Sequence, residues 1–168
     1  TGTDTGGSIR LPSAMNGVAG LRPTFGRVPN TGCMPVSAAH DTIGPMAHDV
    51  TDLALLLAVI AGPDGEDPTC VAGPLGNFLP RLNDGVEALR IGIPRNYYFE
   101  AVEPEIGDAV MAAARVFEGL GAQLVDVHVP GAADMRGHGS VMVTADVCHV
   151  HAERLARGRE FFDGPTYD

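Results

Sequence analysis

The stretch Leu89-Arg90-Ile91-Gly92-Ile93-Pro94, followed by Pro104 and later by Gln123-Leu124-Val125-Asp126-Val127-His128-Val129, decides the fold class. Both outer runs are short, carry Ile, Leu or Val at alternate positions, and read as strands. Between them Pro104 suits the first position of a helix, where its fixed φ is helical and its missing N–H would have no partner anyway. Ile106, Val110, Ala113, Ala114 and Phe117 repeat at helical spacing and give that helix an apolar face, with Gly119 or Gly121 available to close it. Strand, helix and strand over about forty residues form a βαβ unit, which predicts parallel strands joined by a right-handed crossover. The expected class is α/β, with the βαβ unit near residues 89–129.

Upstream, Asp49 is a candidate N-cap, Asp52 an acidic first-turn residue, and Leu53, Leu56, Leu57 and Ile60 recur at helical spacing until Gly62 and Pro63 end the pattern. Ala54, Leu55, Ala58 and Val59 fill the remaining faces, so this helix is expected to be buried on most sides. Residues 1–48 are dense in Gly, Pro, Ser and Thr and read as irregular loops with brief strands. The Pro, Gly and Asp content from Gly62 to Asp84 reads as a surface excursion. A last helical pattern runs from about Ser140 to Gly158 and precedes Phe161-Phe162-Asp163-Gly164-Pro165.

With 168 residues, 45% hydrophobic and 19% charged, the chain has the composition of a core-forming globular domain. Its formal charge of −10 repels a phosphate backbone, and its arginines are scattered rather than arrayed as a stripe, which argues against direct nucleic-acid binding. All eleven basic residues are arginine. The absence of lysine from this chain excludes a phosphate-loop Lys, a Schiff-base Lys or a Ser-Lys pair drawn from it alone. The longest apolar run, Leu53 to Ala61, falls short of the ~20 residues of a membrane span. Cys33, Cys70 and Cys148 are widely spaced and lack a C-x-x-C pairing, so packing residues or free thiols in a reducing compartment are expected, and no metal site. A soluble, cytoplasmic protein is the expectation.

The densest chemistry lies in Gly2-Thr3-Asp4-Thr5-Gly6-Gly7-Ser8-Ile9-Arg10. Two glycines before a serine let the backbone approach a ligand closely and turn successive N–H groups toward one point. Such donors meet the need of an oxyanion hole, which must stabilise the charge formed when a carbonyl is attacked. Asp4 and Arg10 are placed to pair across the turn and hold its shape, leaving Ser8 for covalent work. A plain Gly-Gly-Ser turn is the alternative reading of these residues taken by themselves.

The segment from Gly2 to Gly62 resembles the amidase signature family of serine amidohydrolases. The resemblance runs from Gly2 to Pro12, through Gly17-Val18-Ala19-Gly20-Leu21-Arg22-Pro23-Thr24-Phe25-Gly26-Arg27-Val28 and Asp41-Thr42-Ile43-Gly44-Pro45-Met46-Ala47, to Val50–Leu57 and Ile60-Ala61-Gly62. Arg90-Ile91-Gly92-Ile93-Pro94 and the region around His151-Ala152-Glu153-Arg154 look like later parts of such proteins. The resemblance implies the amidase-signature fold, a mixed β-sheet flanked by helices. It also implies Ser8 as the acylated nucleophile, the N–H groups of Thr5, Gly6, Gly7 and Ser8 as the oxyanion hole, and Thr3, Asp4 and Arg10 as supports of the site. In the family a second serine and a lysine relay the proton, and both lie upstream of the nucleophile motif. This chain begins at that motif and has no lysine, so it is expected to be a partial amidase domain, inactive alone. Its expected organisation is a signature segment over 1–62, a loop excursion over 63–88, and the βαβ unit with a following helix over 89–168. The implied substrate is a small-molecule amide, with no cofactor and no metal. A homodimer or amidotransferase partner subunits are the candidate assemblies.

Other readings of the same residues are weaker. Asp4-Thr5-Gly6 is the core of the aspartic-protease motif, yet no second Asp-Thr-Gly or Asp-Ser-Gly occurs to complete the carboxylate pair. The glycines match neither the phosphate loop nor the dinucleotide fingerprint. His149 and His151, two apart on the expected helix, face different ways and make a poor metal pair. His40 and His48 flank the loop Asp41–Ala47, and His40 is assigned no role. Two alternatives to an amidase remain: the glutaminase subunit of a tRNA-dependent amidotransferase, and a non-catalytic remnant or binding module.

Overall fold

The computed structural model describes residues 1–73, 78–158 and 160. Arg159 and the stretch Phe161–Pro165 therefore lie outside the described residues. The chain is a mixture of helices and small sheets, as the α/β expectation required, and it divides into two compact units. The first contains Thr1–Pro80 and Val141–Asp168; the second contains Arg81–Ser140.

In the first unit, β1 (Gly2–Thr3) pairs antiparallel with β3 (Ile43–Gly44), and β2 (Ala19–Gly20) with β4 (Met46–Ala47). The first pairing places Gly2 opposite Gly44 and Thr3 opposite Ile43. Gly44 is required by close approach, since a Cβ there would stand 2.1 Å from the Leu21 carbonyl oxygen. Between β1 and β2 lies α1 (Arg10–Asn16), a helix that the reading of residues 1–48 as loops did not anticipate. Its N-cap residue Ile9 offers no side-chain cap and its first turn holds no acid, so the usual start signals are missing. The one local mark is Gly17, left-handed at φ 63, whose N–H returns to the Ala14 and Ser13 carbonyls.

Helix α2 (Val50–Ile60) begins where the sequence predicted, with the Asp49 carboxylate accepting the Asp52 N–H at 2.9 Å, a cap worth ~1 kcal/mol. Its burial differs from the expectation. Leu53, Ala54 and Leu57 are buried, whereas Val50, Leu55, Leu56 and Val59 are exposed. The helix meets β2 and β4, and strands two residues long cover only a strip of its surface. Ile9, with no exposed surface, plugs the core beneath the turn that joins β1 to α1.

The second unit contains the predicted βαβ motif: β5 (Arg90–Pro94), α3 (Pro104–Gly119) and β6 (Gln123–Val127), the strands parallel with Arg90 opposite Gln123 and Ile93 opposite Asp126. Within this unit α3 buries Ala114, while Ile106, Val110 and Phe117 stay exposed, because a sheet two strands wide covers little of a helix. The parallel pair and the two antiparallel pairs are separate two-stranded sheets.

The last helical pattern is displaced from its expected bounds. It forms α4 (Ala132–Val150) and the short α5 (Ala152–Leu155), separated at His151. Gly137 and Gly139 inside α4 each disfavour a helix by about 1 kcal/mol relative to Ala, which is why sequence alone placed its start near Ser140. Among the described residues no helix is long and apolar enough to cross a membrane.

Candidate active site

The turn from Asp4 to Ile9 leaves β1 and enters α1, so both its ends are tied to regular structure. The Asp4 N–H donates to the Thr42 carbonyl at 2.8 Å, extending the β1–β3 pairing by one residue. The Asp4 side chain, wholly buried, then acts as the hub of the turn. It accepts the N–H groups of Gly7 (2.8 Å), Ile9 (3.3 Å) and Arg10 (3.4 Å). The Arg10 guanidinium adds a two-pronged pair, Nε to Oδ2 and Nη2 to Oδ1, each 2.9 Å. This is the ion pair expected from sequence.

Hydrogen bonding from Arg10, reinforced by the Ile9 and Arg10 N–H groups, holds the Asp4 carboxyl down at about 2 against the opposing effect of burial. The same bond raises the Arg10 guanidinium, with burial opposing.

Ser8 sits exposed at the outer edge of the turn. Among the described residues its hydroxyl has no hydrogen-bond partner, and the N–H groups of Thr5, Gly6 and Ser8 have no acceptor. Gly7 differs from these neighbours because its N–H is engaged by Asp4. It also takes φ 133, a conformation open to glycine. The turn thus presents an exposed hydroxyl beside three uncommitted donors, over a carboxylate that keeps the backbone in this shape. Thr3 is exposed on β1 and lines a cavity of about 180 Å³ together with Asn30, Met34, Val36, Asp41 and Asp67.

Two residues given no role from sequence help to hold the turn. Arg22 donates from Nη2 to the His40 carbonyl at 2.8 Å and from Nε to the Asp4 carbonyl at 3.3 Å, and its Nε also lies 3.5 Å from Asp4 Oδ1. Asp41, nearly buried, accepts the Thr5 hydroxyl on Oδ1 and the Val36 and Ser37 N–H groups on Oδ2, at 2.7 and 3.0 Å. The available signal was their position: each is a charged residue within the quoted family blocks. Their partners lie 18 and 36 residues away, beyond the reach of local spacing.

The histidines do not assemble into a metal centre. Among the described residues no group of three or more His, Cys, Asp or Glu side chains is placed to hold a metal ion. His151 instead donates from Nε2 to the Pro35 carbonyl at 2.8 Å and faces Arg154 through Nδ1. Cys33, Cys70 and Cys148 are free thiols, and Cys70 Sγ donates to the Gly26 carbonyl.

Comparison with known proteins agrees with this architecture. The A-subunit of the glutamyl-tRNA(Gln) amidotransferase from Myxococcus xanthus is 46% identical over 129 residues, covering 77% of this chain and 26% of the relative. Its counterpart from Chloroflexus aurantiacus is 48% identical over the same shares. The crystal structure of the corresponding protein from Thermotoga maritima superposes with a TM-score of 0.85 at 30% identity, covering 93% of this chain and 35% of that one. The chain thus spans about a quarter of the length of the curated relatives it matches. The Amidase family model matches residues 1–164, and the chain belongs to the amidase family.

Proposed function

We propose that Ser8 is the acylated nucleophile of a hydrolase that cleaves a carboxamide C–N bond. The observation that carries this reading is the exposed Ser8 hydroxyl beside the N–H groups of Thr5, Gly6 and Ser8, which have no acceptor among the described residues. Ser8 Oγ bonds to the substrate carbonyl carbon, and the carbonyl oxygen takes the negative charge. The three N–H groups stabilise it, each donor of this kind being worth about 3–4 kcal/mol in known oxyanion holes. Collapse expels the amine with a proton, and water then releases the acid from the acyl-enzyme. Gly7 serves by its conformation, since Asp4 already holds its N–H. Thr3, Asp4 and Arg10 are supports in this scheme. The proton relay is assigned to the second serine and the lysine that the family resemblance implies outside this chain. The free thiols suit a cytoplasmic setting.

A second reading is favoured by the names of the curated relatives. Here the same acyl chemistry serves the glutaminase step of a tRNA-dependent amidotransferase, and the ammonia passes to partner subunits. Glutamine-dependent ammonia release that rises when the partner proteins are added would select it over a free-standing amidase.

The test of Ser8 is fluorophosphonate labelling of the full-length protein, with the modified residue mapped. One adduct on Ser8, lost in Ser8→Ala, is expected. Labelling that survives Ser8→Ala at an unchanged rate removes the nucleophile assignment.

A further inference from the structure

The segment Pro35–Asp41 links the nucleophile turn to the far end of α4, all within the first unit. On one side Asp41 receives the Thr5 hydroxyl. On the other, Ser37, with no exposed surface, donates its hydroxyl proton to Oδ2 of Asp146, 109 residues away in sequence. A serine hydroxyl has one proton, so His40 Nδ1, 2.7 Å from the same oxygen, must be the donor in that contact. His151 adds a second tie from the same region through the Pro35 carbonyl.

These bonds leave the segment little freedom. The Ser37 carbonyl accepts the His40 and Asp41 N–H groups at 3.1 and 2.9 Å, while the Ser37 N–H returns to Asp41 Oδ2. Ser37 and Asp41 are thus locked into one closed turn. Removing either the Ser37 hydroxyl or the Asp146 carboxylate cuts the tie between this turn and α4, and the His40 contact on the same oxygen does not replace it, because His40 belongs to the turn itself. A turn loosened in this way shifts the Asp41 carboxylate, and with it the hydroxyl of Thr5.

We infer that Asp146 is a positioning residue for the nucleophile turn: through Ser37 and Asp41 it sets the orientation of Thr5, whose N–H is one of the three donors facing the reacting carbonyl. The inference rests on the proposed role of that turn. Because such donors act on charge that develops during reaction, a tilt of Thr5 slows the chemical step more than it weakens binding.

The test uses a fluorophosphonate probe, whose phosphoryl oxygen must enter the same donors, on the full-length protein. The maximal inactivation rate and the half-saturating probe concentration are measured separately. For Ser37→Ala and Asp146→Ala, the maximal rate is expected to fall about tenfold or more, as for a sub-ångström misplacement of a catalytic group, with the half-saturating concentration within about twofold. Asp146→Asn, whose amide oxygen still accepts the Ser37 proton, should recover most of the rate. The double variant Ser37→Ala/Asp146→Ala should be no slower than the slower single variant, as members of one chain of contacts behave. If Asp146→Ala does not fold, Ser37→Ala and Asp146→Asn carry the comparison. Wild-type rates in the folded variants, an Asn variant no better than Ala, or additive losses would overturn the inference. Undiminished labelling of Ser8→Ala would instead overturn the nucleophile reading on which it rests.

Discussion

The N–H of Gly7 donates to Oδ1 of the buried Asp4 at 2.8 Å, while the N–H groups on either side of it, Gly6 and Ser8, have no acceptor among the described residues. One donor is thereby converted into a fastener for the others. A carboxylate inside the turn gathers the Gly7, Ile9 and Arg10 N–H groups from below and leaves the outer edge to a ligand. The Arg10 guanidinium offsets the cost of burying that carboxylate.

This hub makes stability acid-sensitive. Asp4 titrates at about 2 in the folded protein, below its ordinary carboxylate value, so the unfolded chain takes up the proton first as pH falls. Its contribution is complete above pH ~4, the ordinary aspartate value, and is lost as pH falls through about 2. Asp64, held at about 2 chiefly by the Asp67 N–H, titrates over the same range, so the difference between wild type and Asp4→Asn isolates Asp4. Urea unfolding, followed from neutral pH down to about 2, should show a shallower loss of stability in Asp4→Asn than in wild type. At neutral pH that variant should be less stable by about 1–3 kcal/mol, because an amide accepts fewer of the buried turn's N–H groups than the carboxylate does, while the Arg10 guanidinium, more than half exposed, keeps its hydration.

Adjacent glycines should respond differently to the same change. At Gly7, with φ 133, a Cβ would stand 3.1 and 3.2 Å from the Leu11 side chain, whereas at Gly6 nothing lies within 4 Å. Gly7→Ala is expected to cost about 1–3 kcal/mol in thermal unfolding through backbone strain. Gly6→Ala should stay within about 0.5 kcal/mol of wild type. Equal effects would contradict the conformation of this turn.

In the second unit, two neighbouring residues separate half-buried from exposed contributions. Asn96 substitutes for a strand neighbour, donating from Nδ2 to the Val129 carbonyl at 2.9 Å and accepting the Val129 N–H at 3.0 Å. Arg95 pairs with Asp126 at 2.7 Å, both side chains more than half exposed. Asn96→Ala should cost about 1–3 kcal/mol and speed hydrogen exchange at the Val129 amide. Arg95→Ala should change stability by less than about 1 kcal/mol and leave that amide protected.

What sequence alone determined is what local rules govern. Alternating Ile and Val over a few residues made β5 and β6, Pro104 opened α3, and Asp49 capped α2, because each choice is settled within one turn of helix or a few strand positions. The family blocks likewise marked the turn around Ser8. Tertiary structure decided the rest. Helix α1, with no capping side chain, forms where Ser13 and Ile9 pack beneath the turn. It also decided which faces of α2 and α3 are covered, since that depends on the width of the sheets they meet. The partnerships of Thr5 with Asp41 and of Ser37 with Asp146 span 36 and 109 residues. No spacing rule reaches so far, because such pairs exist only after the intervening chain has folded and brought their oxygens out of water to one another.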